Sequence, residues 1–322
     1  MRGLLATMLL AAAVEAQGPR TSLVVIAGVG GEPRFAAAFK AMSQSMAAAA
    51  RTRFSLPDSQ VWVFTEDSTV GRGRSTKASV EAALTRIVSV GRDGDRLVVI
   101  LFGHGNAQAD VTRFNLPGPD MTVADFSRVL SGYAGTLAFV NTGSSSGEYV
   151  KALSGPRRII VTATKSAREQ NETFFPAFFV KALAESAGDT DKDGRVSLLE
   201  AFTYARLEVE RKFELANQLA SEHPQLDDDG DGTGRGDASE TGPDGKLART
   251  FFLEPLGGAT VANDPRAARL IEERRVLEAR IDSLRARRST MSEADYQKAL
   301  EPLVTELAEK TRALRTLEGR KP

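Results

Sequence analysis

Hydrophobic and polar positions fall into alternating blocks through the first half of the chain. Five short apolar runs, Leu23–Ala27, Val61–Phe64, Leu97–Phe102, Leu137–Val140 and Ile159–Ala163, are rich in β-branched residues. Their brevity and composition predict strands, and their lack of polar alternation predicts burial on both faces. Between them the apolar period lengthens to that of a helix. Glu32–Arg53 carries Phe35, Ala38, Phe39 and Met42 on one face, and Thr76–Val90 carries Val80, Leu84 and Ile87. Thr122-Val-Ala-Asp125 has the spacing of a capping box opening a helix with Phe126 and Leu130. Further helices are expected over 173–187 and after Leu198. Strand alternating with helix predicts an α/β fold whose mainly parallel sheet is covered on both sides.

The pattern changes further on. His223–Gly245 is acidic and glycine-rich and predicts a long, solvated loop. Leu247–Leu253 then reads as a last strand or as the return of the chain to the core. From Pro265, Leu270, Leu277, Ile281 and Leu284 recur at heptad-like spacing, as do Leu300, Leu303, Leu307, Leu314 and Leu317. Ser292-Glu-Ala-Asp295 offers a second capping box, and Pro302 is expected to bend the second helix or displace its start. The tail therefore reads as a helical hairpin or short coiled coil. It either packs on the main domain or serves a coiled-coil partner or self-association.

Composition narrows the function. Of 322 residues, 42 are Lys or Arg and 42 are Asp or Glu, so the balance gives no basic surplus for nucleic acid or an anionic membrane. The absence of cysteine excludes disulfides, thiolate metal sites and cysteine nucleophiles. Arg2, the apolar stretch Leu4–Val14 and Val14-Glu15-Ala16 have the layout of a secretory signal. The expected division is a signal peptide over 1–16, an α/β domain over 17–262 and the helical tail over 263–322. Export to the periplasm or the extracellular space is expected, without stable membrane insertion after cleavage.

Two of the apolar strands run into small, glycine-bearing loops, where open α/β sheets build their sites. One reads Asp95-Arg-Leu-Val-Val-Ile-Leu-Phe-Gly-His-Gly105, the other Thr142-Gly-Ser-Ser-Ser-Gly147, and Ser75–Leu84 opens the helix before the first. These three segments resemble caspase-like and legumain-type cysteine peptidases over roughly 22–205. The resemblance implies a caspase-like sheet, in a bacterial exported member that lacks the catalytic cysteine. It also implies His104 as the general base and backbone N–H groups of Gly105 and Ser144 as the oxyanion site. Aligning Ser146-Gly147 with the family's terminal Ser-Gly puts Ser144 at the nucleophile position. A one-residue shift would put Gly143 or Ser145 there instead. Thr142 then stands where the family has an acid. A serine hydroxyl needs a histidine oriented by a third group, for which Asp110 is the one candidate. The competing reading makes Ser144–Ser146 a polar turn capping the following helix, with His104 bonding its own loop.

Asp189-Thr-Asp-Lys-Asp-Gly-Arg-Val-Ser-Leu-Leu-Glu200 matches an EF-hand loop position by position. Asp189, Asp191 and Asp193 supply side-chain oxygens, Arg195 its carbonyl, Ser197 the often water-mediated position, and Glu200 a bidentate closure. Calcium is the expected cofactor, and an unoccupied helix–turn–helix connection is the alternative. Asp229, Asp231, Thr233, Gly234, Asp237 and Glu240 form a weaker second series, which reads as a solvated flexible loop or as a site for a second ion or one shared with the first loop. These readings converge on a calcium-stabilised pseudopeptidase that binds a peptide or protein ligand. The alternatives are a hydrolase using Ser144 with His104, and a scaffold that oligomerises through its tail.

Overall fold

The computed structural model describes residues 19–68, 71–109, 111–254 and 265–317. The expected signal segment, Asp110 and the 262/263 boundary lie outside the described residues. In chain order the main elements are β1 (Thr21–Ala27), α1 (Pro33–Thr52), β2 (Val61–Thr65), β3 (Gly73–Arg74), α2 (Lys77–Val90) and β4 (Arg96–Phe102). Then come β5 (Gly105–Gln108), β6 (Val111–Phe114), β7 (Met121–Thr122), α3 (Val123–Leu130), β8 (Thr136–Asn141), α4 (Glu148–Leu153) and β9 (Arg158–Thr162). The chain continues through α5 (Phe175–Ala184), α6 (Leu198–Leu215), β10 (Gln225–Asp227), α7 (Lys246–Arg249), α8 (Pro265–Ala286) and α9 (Glu293–Leu317).

A seven-stranded sheet in the order β10-β9-β8-β4-β1-β2-β3 organises the molecule. Its strands pair in parallel except β10, which closes one edge antiparallel to β9. The apolar runs are continuous because the sheet has a core on each face. Leu23, Val25, Val98 and Ile100 pack with residues of α1, α5 and α6, while Val24, Ile26, Val99 and Leu101 pack with those of α2, α3 and α4. Helix starts are fixed locally. Thr122 and Asp125 exchange side-chain and backbone bonds of 3.1 and 2.9 Å at α3, and Ser197 and Glu200 do the same at 3.2 and 2.9 Å at α6.

Two features depart from the sequence reading, and a third selects one of its alternatives. The chain after His104 forms a small antiparallel sheet, β5-β6-β7. Leu247–Leu253 follows the second of its two readings: it passes through α7 and returns to the core with Ala248, Phe251 and Leu253 buried, with an isolated bridge from Phe252 to Ser197 and a 3.1 Å bond from Arg96 of β4 to the Phe252 carbonyl. The 223–245 loop is not simply solvated, since it contains β10 and buries Asp227, Asp228 and Asp244. In the tail, Leu277, Ile281 and Leu284 bury against Tyr296 and Leu303, and Ala267 against Leu314. Pro302 lies inside α9, whose start at Glu293 is not displaced. No helix among the described residues is long and apolar enough to cross a membrane.

Candidate functional site

The chain crosses over between β1 and β4, so their C-terminal ends open the switch point of the sheet, the usual crevice for ligands in this architecture. His104 stands there, just past β4. Its ring meets Phe35 and Phe39 of α1 edge-on, with centroids 4.6 and 5.2 Å away. The backbone of Gly30, on the loop after β1, lies beside the ring and favours its protonated form. Burial lowers its pKa below the ordinary histidine value, against opposing contributions from Glu172, Glu32 and the Gly30 backbone. The imidazole is therefore neutral at pH 7.

The serine loop follows β8 and presses directly on the residue after His104. Ser144, only 4% exposed, accepts from the Gly105 N–H at 3.2 Å and donates to the Gly105 carbonyl at 3.0 Å. Two glycines make the approach feasible: a Cβ on Gly105 would lie 2.4 Å from the Ser144 carbonyl, and one on Gly143 2.4 Å from the Gly103 carbonyl. The other hydroxyls are committed too. Ser145, at a left-handed φ of 54°, donates its Oγ to the Ala167 carbonyl at 3.1 Å and its N–H to the Glu169 carbonyl at 2.8 Å. Ser146 and Thr164 share a 3.0 Å hydroxyl bond, and Thr142 donates to the Leu101 carbonyl at 2.6 Å. Among the described residues no hydrogen bond joins His104 to Ser144, and no carboxylate accepts from the His104 ring. The fold thus brings His104, Gly105 and Ser144 together without forming a nucleophile–base pair.

No protein-family model and no curated protein matches the chain. Among solved structures it is similar to protein GSU0716 from Geobacter sulfurreducens, at 11% identity and a TM-score of 0.43. That match covers 65% of this chain and 93% of the other. A likeness at this level assigns neither family nor function.

Beside the serine loop, the β5–β6 ribbon and the segment after β9 enclose an open groove of about 440 Å³. Its lining includes Thr112, Glu148, Arg168 and Gln170. The wall is fixed from a distance. Glu169 accepts from the His223 backbone N–H at 3.2 Å and lies 2.5 Å from its ring nitrogen. Glu222 accepts from the Phe174 and Phe175 N–H groups at 2.7 and 2.9 Å, capping α5. Gly30, Phe35, Phe39, Glu169 and Glu222 were not legible as site residues, because each acts across a long stretch of sequence.

The acidic loop before α6 gathers Asp189, Asp191 and Asp193, whose carboxylate oxygens lie within 4.8 Å of one another. Glu200 is drawn into the α6 capping box and accepts from the Thr190 N–H and hydroxyl at 3.0 Å each. Ser197 donates to Glu200 at 2.9 Å, and the Arg195 guanidinium stacks on Phe252 at 3.8 Å. Burial and neighbouring Asp193, Glu200 and Asp189 push the Asp191 carboxyl up to about 6. One Asp189 oxygen is buried without a partner. Convergent charge and an orphaned oxygen fit a hard cation with oxygen ligands. A second group, Asp227, Asp229 and Asp244, meets the same 4.8 Å limit. Only Asp229 of these belongs to the series expected from spacing.

Proposed function

We propose that the chain is an exported, caspase-like pseudopeptidase: a calcium-stabilised module that binds a peptide or protein segment without cleaving it. The observation that carries this reading is the closure of Ser144 on the Gly105 backbone while the His104 ring packs edge-on against Phe35 and Phe39. A serine nucleophile needs a base on its hydroxyl and a third group orienting that base, and here the Ser144 proton goes to a carbonyl. The Gly105 N–H, which the resemblance makes an oxyanion donor, is taken by the same hydroxyl. The groove beside the loop is our assignment for the peptide. We read 189–200 as an EF-hand-like calcium loop and the tail as an antiparallel helical hairpin. A fluorophosphonate probe applied to the calcium-loaded protein, beside Ser144→Ala and His104→Ala, tests the reading. No labelling of the folded proteins is expected. Labelling of the wild type that both variants lose would establish a serine hydrolase instead.

A second reading, a scaffold that self-associates through its tail, is favoured by the exposure of Val276 and Val304 on the tail helices. Light scattering on Val276→Glu and Val304→Glu separates the two. A fall in mass relative to wild type supports the scaffold, and an unchanged monomer mass rejects it.

A further inference from the structure

We infer that Asp227, Asp229 and Asp244 form a second divalent-cation site, tying the sheet-edge strand β10 to the segment that enters α7. The site lies apart from the loop at 189–200 and uses none of its residues.

Among the described residues, the buried Asp227 carboxylate has no cationic partner. Asp227 ends β10 and is fully buried, as is Asp244. One Asp227 oxygen accepts from the Gly230 N–H at 3.2 Å, while Oδ2, shielded from solvent, has no hydrogen-bond partner. Leaving a buried carboxylate oxygen unmatched is costly, and more so beside other carboxylates. The neighbours are indeed acidic. Asp244 Oδ1 accepts from the Asp228 and Asp229 N–H groups at 2.9 and 3.3 Å, and Asp229 Oδ1 accepts from the Asp231 N–H at 2.9 Å.

Arg235 is the cation already present, and it serves Asp244 and Asp231 rather than Asp227. Its guanidinium donates to Asp244 Oδ2 at 2.5 Å, to Asp231 at 2.8 Å and to the Thr233 carbonyl at 3.1 Å, and it lies 3.9 Å from Asp229. Among the described residues no basic side chain pairs with Asp227. A small cation among the three carboxylates would satisfy Oδ2, where the planar guanidinium does not reach. Three carboxylates on an irregular loop suit calcium, whose coordination is flexible, better than magnesium, which demands near-octahedral geometry.

The consequence is structural. Asp228 accepts from the Gly245 and Ala248 N–H groups at 2.8 and 2.7 Å, so an ion on its neighbours would clamp β10 to α7. Beyond α7, the Phe251 carbonyl accepts from the Leu198 N–H at the start of α6.

Calcium stoichiometry tests the inference. The full chain is stripped with chelator, titrated with calcium chloride by calorimetry, and its bound metal is counted by mass spectrometry. The wild type is expected to bind two ions. Asp193→Asn and Asp229→Asn should each bind one, and the double variant none. Asp229 is partly exposed, so its variant leaves the buried pair in place, while Asp227→Asn repeats the test at the orphaned oxygen with circular dichroism as the fold control. Wild-type stoichiometry in Asp229→Asn would overturn the second site. A single wild-type ion lost only in Asp229→Asn would sustain it and refute the loop at 189–200.

Discussion

Glu222 makes a quantitative test of how the wall of the groove is held. It is 3% exposed, and its carboxylate caps α5 from 47 residues away along the chain. Burial, aided by the nearby charge of Glu169, pushes its carboxyl up to about 7, although the two N–H bonds pull it down. The folded state therefore holds this proton more tightly than the unfolded chain, where the value is 4.5. The contribution to stability is fully present below the unfolded value and is lost as pH rises through about 7. At roughly 1.4 kcal/mol per pH unit, the gap corresponds to about 3 kcal/mol.

Glu222→Gln removes the titration and keeps the shape. Its amide also turns one N–H group toward a backbone N–H, a loss of about 1–3 kcal/mol that does not depend on pH. The diagnostic is therefore the slope. Urea unfolding of both proteins at pH 5, 6, 7 and 8 should show the wild type losing roughly 2.5 kcal/mol relative to the variant across that range. Groups common to both proteins cancel in the difference. Parallel profiles, or a wild type that gains on the variant with rising pH, would refute the reasoning. The effect should reach the serine loop, because Thr173, next to the capped residues, donates to the Thr142 carbonyl at 2.7 Å.

Gly105→Ala forces a Cβ against the Ser144 carbonyl and should destabilise the protein by about 1–3 kcal/mol or more, read from the urea midpoint. Ser144→Ala leaves both Gly105 backbone groups unanswered and should cost about 1–3 kcal/mol without altering any catalytic rate, measured by the same titration with a peptide substrate assay alongside. Calcium at a hundred times its dissociation constant should stabilise the protein by about 2.7 kcal/mol per site, so chelator lowers Tm, and Asp193→Asn should shrink that response in a thermal melt. Ile281→Asp, in the contact between α8 and α9, should reduce far-UV helicity while leaving the Trp62 fluorescence of the sheet domain unchanged.

Which parts of this structure were legible follows from where the determining contacts lie. The central strands could be read because each is buried on both faces, which leaves a continuous apolar run. The β5–β6 ribbon could not, since Gly-Asn-Ala-Gln and Val-Thr-Arg-Phe carry no apolar alternation. Leu247–Leu253 left two readings open because its apolar content suits either a strand or a turn that returns to the core, and packing of Ala248 and Phe251 selects the return. The gathering of Asp189, Asp191 and Asp193 was legible because the three carboxylates lie within five residues of one loop. The pair Asp227 and Asp244 was hidden because seventeen residues separate two carboxylates that only folding brings together.

The same logic governs the serine loop. Gly-Ser-Ser-Ser-Gly is compatible with a nucleophile and with a structural turn, because residue type fixes what a hydroxyl can do but not where its proton goes. That destination is set by backbone groups supplied from elsewhere: the Gly105 carbonyl for Ser144, the Ala167 carbonyl for Ser145, and the Thr164 hydroxyl as partner of Ser146. The histidine is bound by the same rule, since Gly30, Phe35 and Phe39 lie about seventy residues before it. A catalytic serine would need a base aimed at its hydroxyl, and the local sequence contains nothing that aims one. The balance of hydrogen bonds around Ser144 therefore discriminates between hydrolase and binding module more sharply than the motif does.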